Sequence, residues 1–259
     1  MGGVPSVPTD RTRRLQVIGA AFSRTGTVSL NMALEKLLDG PAMHGGTQIL
    51  GREDAYLRLW SKVFEAKFKG DKELTLKLLR EATAGFVAIT DVPGNCFIPE
   101  LQELYPEAEV IVVDRDKDRW FASINMIVDA TTPPWLPYLL APCPGWRWFP
   151  HMVNCFKNAE INRLPPPLRP DTLALHNEWV RRHTPADKFH VVQLKDGWSP
   201  LCRILGNKPI PNEPFPRAND ADAVAELSKR IFLQALLVWC GILAGIALVG
   251  YGAWWVWSK

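Results

Sequence analysis

The stretch LQVIGAAFSRTGTVSLNMALEKLL, residues 15–38, decides the fold. Its first six residues form a short apolar run of the kind found in buried strands. Leu30, Ala33, Leu34, Leu37 and Leu38 then recur at the spacing of one helix face. Between strand and helix lies a turn of small and hydroxyl residues, Gly19 through Ser29. Three further apolar runs of strand length follow: FVAIT (86–90), VIVV (110–113) and FHVVQL (189–194). The run at 110–113 leads into a helical pattern over 117–128. Runs that are apolar throughout and alternate with helices predict an α/β protein: a parallel sheet flanked by helices in three layers. Ligands of such sheets bind beyond the carboxyl ends of the strands, so the residues after each run carry the functional interest. From 131 to 170 proline and tryptophan crowd together in TTPPWLPYLLAPCPGWRWFP and LPPPLRP. Proline resists both helix and strand, so an ordered irregular loop or lid is expected there. Trp135, Trp146 and Trp148 would suit a membrane-facing segment, and a plain surface insertion fits equally.

The C-terminal run IFLQALLVWCGILAGIALVGYGAWWVW (231–257) contains no charged residue. As a helix it would be ~40 Å long, enough to cross a hydrocarbon layer of ~30 Å. Trp254, Trp255 and Trp257 cluster at its far end, where amphipathic rings favour the interface. Lys229 and Arg230 precede it and Lys259 alone follows, which predicts a single-pass, tail-anchored protein with a cytosolic body, the endoplasmic reticulum being the default membrane. The first residues, MGGVPSVPTDRTRR, show no apolar leader. The expected division is a flexible N-terminus (1–14), one domain (15–228) and a transmembrane helix (231–257). Gly241 and Gly245 form a GxxxG that would let two such helices pair as a homodimer. Gly2 and Ser6 fit the N-myristoylation pattern.

Across 259 residues, 30 Lys and Arg stand against 27 Asp and Glu, a net charge of +3. Such balance lacks the basic excess of nucleic-acid binders, and no nucleic-acid partner is expected. Five cysteines without a CxxC argue against a disulfide scaffold and a Cys-rich zinc site, and suit a reducing compartment. No metal cluster is visible.

The turn after the first strand reads Ser23-Arg24-Thr25-Gly26-Thr27-Val28-Ser29. A helix N-terminus offers unpaired amides and a positive dipole end to an anion. Gly26 permits close backbone approach, the hydroxyls can donate, and Arg24 can pair a phosphate oxygen. The turn is not a Walker A loop, since no lysine follows Gly26, and the dinucleotide pattern GxGxxG is absent.

With these residues the chain resembles the sulfotransferases that use 3′-phosphoadenosine 5′-phosphosulfate (PAPS). RTGT after a buried strand looks like their 5′-phosphosulfate loop, K-S-G-T in cytosolic members, with Arg24 in place of lysine. Arg115 at a strand end and Ser123 eight residues later have the spacing of the pair that holds the 3′-phosphate. The likeness is strongest to a subgroup common in fungi, at times mislabelled as NAD-dependent epimerases. It covers about residues 15–220: Arg24 to Leu30, His44, Asp91 with Pro93, Arg115-Asp116, Trp120, Ser123, GWSPLC (197–202) and PFPRAN (214–219). Met43, Gly45 and Val92 depart from the tyrosine, methionine and tryptophan of the subgroup, and Ser23 replaces a common glycine.

The resemblance implies a P-loop-like fold, PAPS as co-substrate and no metal. It implies a nucleotide site of Ser23, Arg24, Thr25, Gly26, Thr27, Val28 and Ser29 with Arg115, Ser123 and Arg217. Sulfuryl transfer is an in-line displacement, so catalysis is positioning and charge stabilisation, a role for Arg24. The acceptor is expected to be a hydroxyl of a small molecule, lipophilic because the enzyme is tethered. Its proton requires a base. Asp91 stands where cytosolic members carry a catalytic histidine, and can serve if burial raises its pKa. His44 is the rival, with an ordinary pKa near neutrality. A non-catalytic, membrane-tethered nucleotide-binding scaffold fits the same motifs. A kinase-like phosphotransferase would need the missing lysine and a Walker B carboxylate.

Overall fold

A computed structural model describes residues 7–48, 52–161, 163, 164, 167–218 and 220–259. Gly2, Ser6 and Asn219 therefore lie outside the described residues. The strands are β1 (Val17–Gly19), β2 (Ala42–His44), β3 (Ala88–Thr90), β4 (Glu109–Val113) and β5 (Phe189–Val192). The helices are α1 (Thr27–Leu38), α2 (Gly45–Gln48), α3 (Asp54–Phe68), α4 (Lys72–Ala82), α5 (Ile98–Leu104), α6 (Lys117–Thr131), α7 (Leu136–Leu140), α8 (Phe149–Ile161), α9 (Thr172–Arg182), α10 (Trp198–Ile204) and α11 (Asp220–Trp257). All strand pairs are parallel, in the order β2-β3-β1-β4-β5.

Side-chain alternation along the strands explains the three layers. Ile18, Ile89, Val110 and Val112 face a core built with α3, α4, α5, α8 and α9. Val17, Ala88, Ile111 and Val113 face a second core built with α1 and α10. Both faces are covered, so each strand is apolar throughout. The chain leaves β1 toward β3 and β2 on one side, then crosses to β4 and β5 on the other. The reversal opens a crevice at the carboxyl end of β1, where such folds bind ligands.

Two expectations are corrected. Four strand runs are legible, but the sheet has five strands: Ala42–His44, not among those runs, is β2. The segment 131–170 is not irregular, since it holds α7 and α8. Met152 and Cys155 of α8 are buried in the first core, and Trp146 is buried as well. Two of its prolines sit where a helix tolerates them, Pro137 near the start of α7 and Pro150 near that of α8.

The apolar C-terminal run is one helix with the residues before it. The 38 residues of α11 extend ~57 Å, and Glu226–Trp257 is long and apolar enough to cross a membrane. Its first turns do not stand free. Leu227, Ile231, Ala235 and Val238 pack against Leu136, Leu140, Cys143 and Trp146. Trp146 Nε1 donates to Gln234 Oε1 (3.1 Å) and Trp239 Nε1 to the Leu139 carbonyl (3.0 Å). Before β1, the Gly85 N–H donates to the Arg13 carbonyl, and the Arg13 guanidinium to the Asp39 carbonyl.

Candidate functional site: an anion loop beside a carboxylate–imidazole pair

The turn after β1 is held by its carbonyl oxygens, one after another. The Ala20 carbonyl accepts from His176 Nε2 (2.6 Å) and the Ala21 carbonyl from Asn95 Nδ2 (3.5 Å). Phe22 accepts from Thr25 Oγ1 (2.7 Å), Ser23 from Trp120 Nε1 (2.9 Å), and Arg24 from Arg115 Nη1. Four of the donors come from separate elements: α9, the 3₁₀ turn Gly94–Phe97, α6 and the end of β4. Each fixes a peptide plane with its oxygen toward the body. Arg24 (φ 70°) and Gly26 (φ 96°) both adopt the left-handed conformation. Turns of that kind gather N–H groups into an anion-binding concavity. α1 begins at Gly26 with no side-chain cap and no acidic residue in its first turn, which leaves its positive end to a ligand. A Cβ on Gly26 would lie 2.4 Å from Leu194 Cδ1, so both conformation and space call for glycine.

Arg24 in the left-handed region costs roughly 1–2 kcal/mol relative to glycine. The rest of the turn pays for it: the Arg24 carbonyl receives the Arg115 guanidinium, and Arg24 Nε donates to Ser123 Oγ (3.1 Å). The residues expected for the two phosphate positions, the 23–29 turn and the Arg115–Ser123 pair, are thus in direct contact. Ser123 lies in the second turn of α6 and is buried. Ser29 Oγ accepts from the Ala218 N–H (3.1 Å), which docks the segment carrying exposed Arg217 onto the first turn of α1.

The two rival base candidates are hydrogen-bond neighbours. Asp91, just beyond β3, and His44, at the end of β2, are both buried, with His44 Nε2 3.3 Å from Asp91 Oδ2. Thr27 Oγ1 lies 3.0 Å from His44 Nε2 and donates to Asp91 Oδ2 (3.3 Å). Asp91 Oδ1 accepts from Ser23 Oγ and from the Val92 N–H (2.7 Å). Carboxylate, imidazole and the Ser23 and Thr27 hydroxyls of the turn therefore form one network. Asp91 is a second non-glycine residue in the left-handed region (φ 66°), and such outliers cluster at functional sites. Gly45 explains the tight approach: a Cβ there would sit 1.3 Å from the Val92 carbonyl oxygen. Two departures from the subgroup pattern, Gly45 and Val92, are thus in contact.

His176 is fully buried beneath the loop, and burial pushes its pKa down to about 3, helped by the nearby Arg163 charge. A carbonyl can only accept, so the proton of the neutral ring sits on Nε2. The unfolded chain would protonate this residue near pH 6.5, whereas the folded chain stays neutral until about pH 3. The stability that His176 contributes is present above pH 6.5 and is lost as pH falls. Wild-type unfolding free energy should drop through this window by up to about 1.4 kcal/mol per pH unit from this residue. His176→Gln keeps a donor for Ala20 without the titration and should flatten that decline. Urea unfolding at pH 7 and pH 5 checks it, and equal declines in both proteins would refute it.

Asn95 and His176 have no part in the sequence reading, and Trp120 enters it only as a residue of the family likeness. The signal for His176 existed: it lies on one helix stripe with Leu173 and Val180, an imidazole at a buried position. No metal-binding group of three or more His, Cys, Asp or Glu side chains occurs among the described residues.

The site is thus a turn between β1 and α1 on a parallel α/β body, with Arg115 on its carbonyl and a buried carboxylate–imidazole pair beside it. Residues 16–224 match the model of a family described as "Sulfotransferase domain", and the chain belongs to that family. It is also 26% identical over 217 residues to the Ava biosynthesis cluster protein M of Aspergillus versicolor, covering 80% of this chain and 82% of that protein.

Proposed function

We propose that the protein is a PAPS-dependent sulfotransferase acting on a hydroxyl of a small, lipophilic acceptor, with its body tethered in the cytosol by α11. The observation that carries this reading is the contact between the two expected phosphate positions: Arg24 reaches Ser123, and Arg115 reaches the Arg24 carbonyl. The residues fit the nucleotide because the loop carbonyls are turned toward the body. When bound, PAPS supplies the sulfuryl group and a stable bisphosphate leaving group. The amides at the start of α1 and the Ser29 hydroxyl hold the 5′ anion, Thr25 and Thr27 brace the turn by giving their hydroxyl protons to the Phe22 carbonyl and to Asp91, and Arg115 and Ser123 hold the 3′-phosphate. Arg217 closes the groove from the C-terminal side. Arg24 and the loop amides stand where negative charge grows on the leaving oxygen. The Asp91–His44 pair takes the acceptor proton as a single acid–base unit. Support for a small-molecule acceptor comes from the Aspergillus relative, whose name assigns it to a biosynthesis cluster. Lys229 and Arg230 before the apolar run support the cytosolic body.

Calorimetry of the full chain in detergent tests the reading. Adenosine 3′,5′-bisphosphate (PAP) should bind without Mg²⁺ and more tightly than ATP. Tighter, Mg²⁺-dependent ATP binding would overturn it in favour of a phosphotransferase. PAP binding with no transfer of radiolabelled sulfuryl group to a lipid and metabolite extract would favour the scaffold.

A further inference from the structure

The face formed by α7 and the first turns of α11 has a use beyond holding the helix. α7 is short and apolar, and its exposed rings, Trp135 at its start and Tyr138 within it, point outward rather than into the core. Trp135 meets Phe232 edge to face at 5.8 Å, so the exposed apolar surface passes from α7 to α11 without a break. Along α11 it continues through Leu233, Leu236 and Leu237 into the span. The platform is tied to the body as well. Asp54, at the start of α3, accepts from the Gly145 N–H (2.9 Å) and pairs with Arg147 (3.1 Å) in the loop after α7.

Depth follows from length. Residues 231–257 extend ~40 Å, the thickness of a bilayer including its headgroups. Trp254, Trp255 and Trp257 at one end and Lys229 and Arg230 at the other then bracket the membrane. Residues 231–239, the part of α11 that packs beside α7, rise ~14 Å and so straddle the boundary between the near headgroup layer, ~5 Å deep, and the acyl chains. We propose that α7 and the adjoining turns of α11 form an interfacial platform seated in the headgroup–acyl boundary of the membrane that α11 enters, with Trp135 and Tyr138 as its anchors. Amphipathic rings favour that layer, and an apolar helix face lies ~5–10 Å into it. The body then rests on the lipid surface in a fixed attitude instead of swinging on a tether. This rests on the reading that α11 spans a membrane, and is independent of the chemistry assigned to the groove.

Site-directed fluorescence on the full chain in liposomes tests it. Cys240 is the exposed cysteine and is replaced by alanine, while Cys96, Cys143, Cys155 and Cys202 are buried. An environment-sensitive dye is placed singly through Tyr138→Cys, Leu248→Cys or Lys77→Cys, the last on exposed α4 as a body control. Lipids carry a nitroxide at the headgroup or deep in the acyl chain. The dye at 138 should be quenched several-fold more by the headgroup nitroxide than the dye at 77, and the dye at 248 by the deep nitroxide. A dye at 248 that is quenched while that at 138 behaves like that at 77 overturns the platform and leaves the span. An unquenched dye at 248 removes the span and the platform together. A blue-shifted but unquenched dye at 138 means a second copy of the chain covers the face, and also overturns it. PAP titration of the same samples reads the nucleotide groove separately, so a failed platform is not mistaken for a failed sulfotransferase.

Discussion

Asp91→Asn and His44→Ala are each expected to slow sulfuryl transfer by about 10²- to 10⁴-fold, the range of a positioned general base. PAP affinity should change little. The double variant should be no slower than the worse single, because the two side chains act as a unit. The network dictates this result. Asp91 Oδ2 faces both His44 Nε2 and Thr27 Oγ1, so it receives the partial positive charge that develops when the pair takes a proton. In Asn the second carboxylate oxygen becomes an NH₂ group, which repels rather than accepts. The amide oxygen can still take the Ser23 and Val92 hydrogen bonds, and Asn tolerates the left-handed conformation that Asp91 adopts (φ 66°), so the fold should survive. Removing His44 leaves Asp91 without its imidazole partner in the same buried place. Single-turnover transfer of radiolabelled sulfuryl group, with PAP titration alongside, separates chemistry from binding. Losses that multiply in the double variant would mean two independent roles. Unchanged turnover in both singles would remove the pair from the mechanism.

The fold was legible where period and length were unambiguous. The helix stripe Leu30, Ala33, Leu34, Leu37 and Leu38 is buried as its spacing requires. Strands apolar on both sides announce a parallel sheet because helices cover both faces. β2 was not legible for a physical reason: AMH is three residues long, flanked by proline and glycine, and ends on a histidine. An edge strand needs only one hydrogen-bonded neighbour, and here β3 supplies the register that the local sequence does not. The helices of 131–170 were hidden by composition. Proline at the first turn of a helix loses only an amide that would have no intrahelical partner. Counting prolines therefore understated how much regular structure the segment holds.

At the site, the turn over residues 23–29 was legible as a pattern because cation, glycine and hydroxyls are adjacent in the chain. What locks the loop was not, because its donors are scattered: Asn95 lies some seventy residues after the carbonyl it serves, and His176 more than 150. Likewise Asp91 and His44 read as competitors in one dimension. Their partnership appears only when β2 and β3 lie side by side, with Met43 and His44 in register with Ile89 and Thr90. The left-handed Arg24 is the clearest case of local rules yielding to the site. Nothing in the propensity of arginine favours φ 70°, and three contacts from β4 and α6 hold the surrounding turn in place.

Arg115→Ala is expected to weaken PAP binding by about 2 kcal/mol or more, roughly 30-fold, the cost of losing one partner of a desolvated charge-assisted contact. Arg115 does two things at once in the groove. Its Nη1 fixes the Arg24 carbonyl, and the rest of its guanidinium is proposed to meet the 3′-phosphate. The two contributions separate when PAP is compared with 5′-AMP, which lacks that phosphate. Loss of the carbonyl contact weakens both nucleotides alike, whereas loss of the phosphate contact weakens PAP alone. The expected result is a larger loss for PAP than for AMP, so that the ratio of their affinities collapses. Arg115→Lys should recover part of the PAP affinity, since an ammonium keeps the charge but cannot fork between a carbonyl and a phosphate oxygen. Equal losses for both nucleotides would reduce Arg115 to a strut of the loop. No loss for either would place the 3′-phosphate elsewhere, and with it would go the argument that one groove holds both ends of the donor.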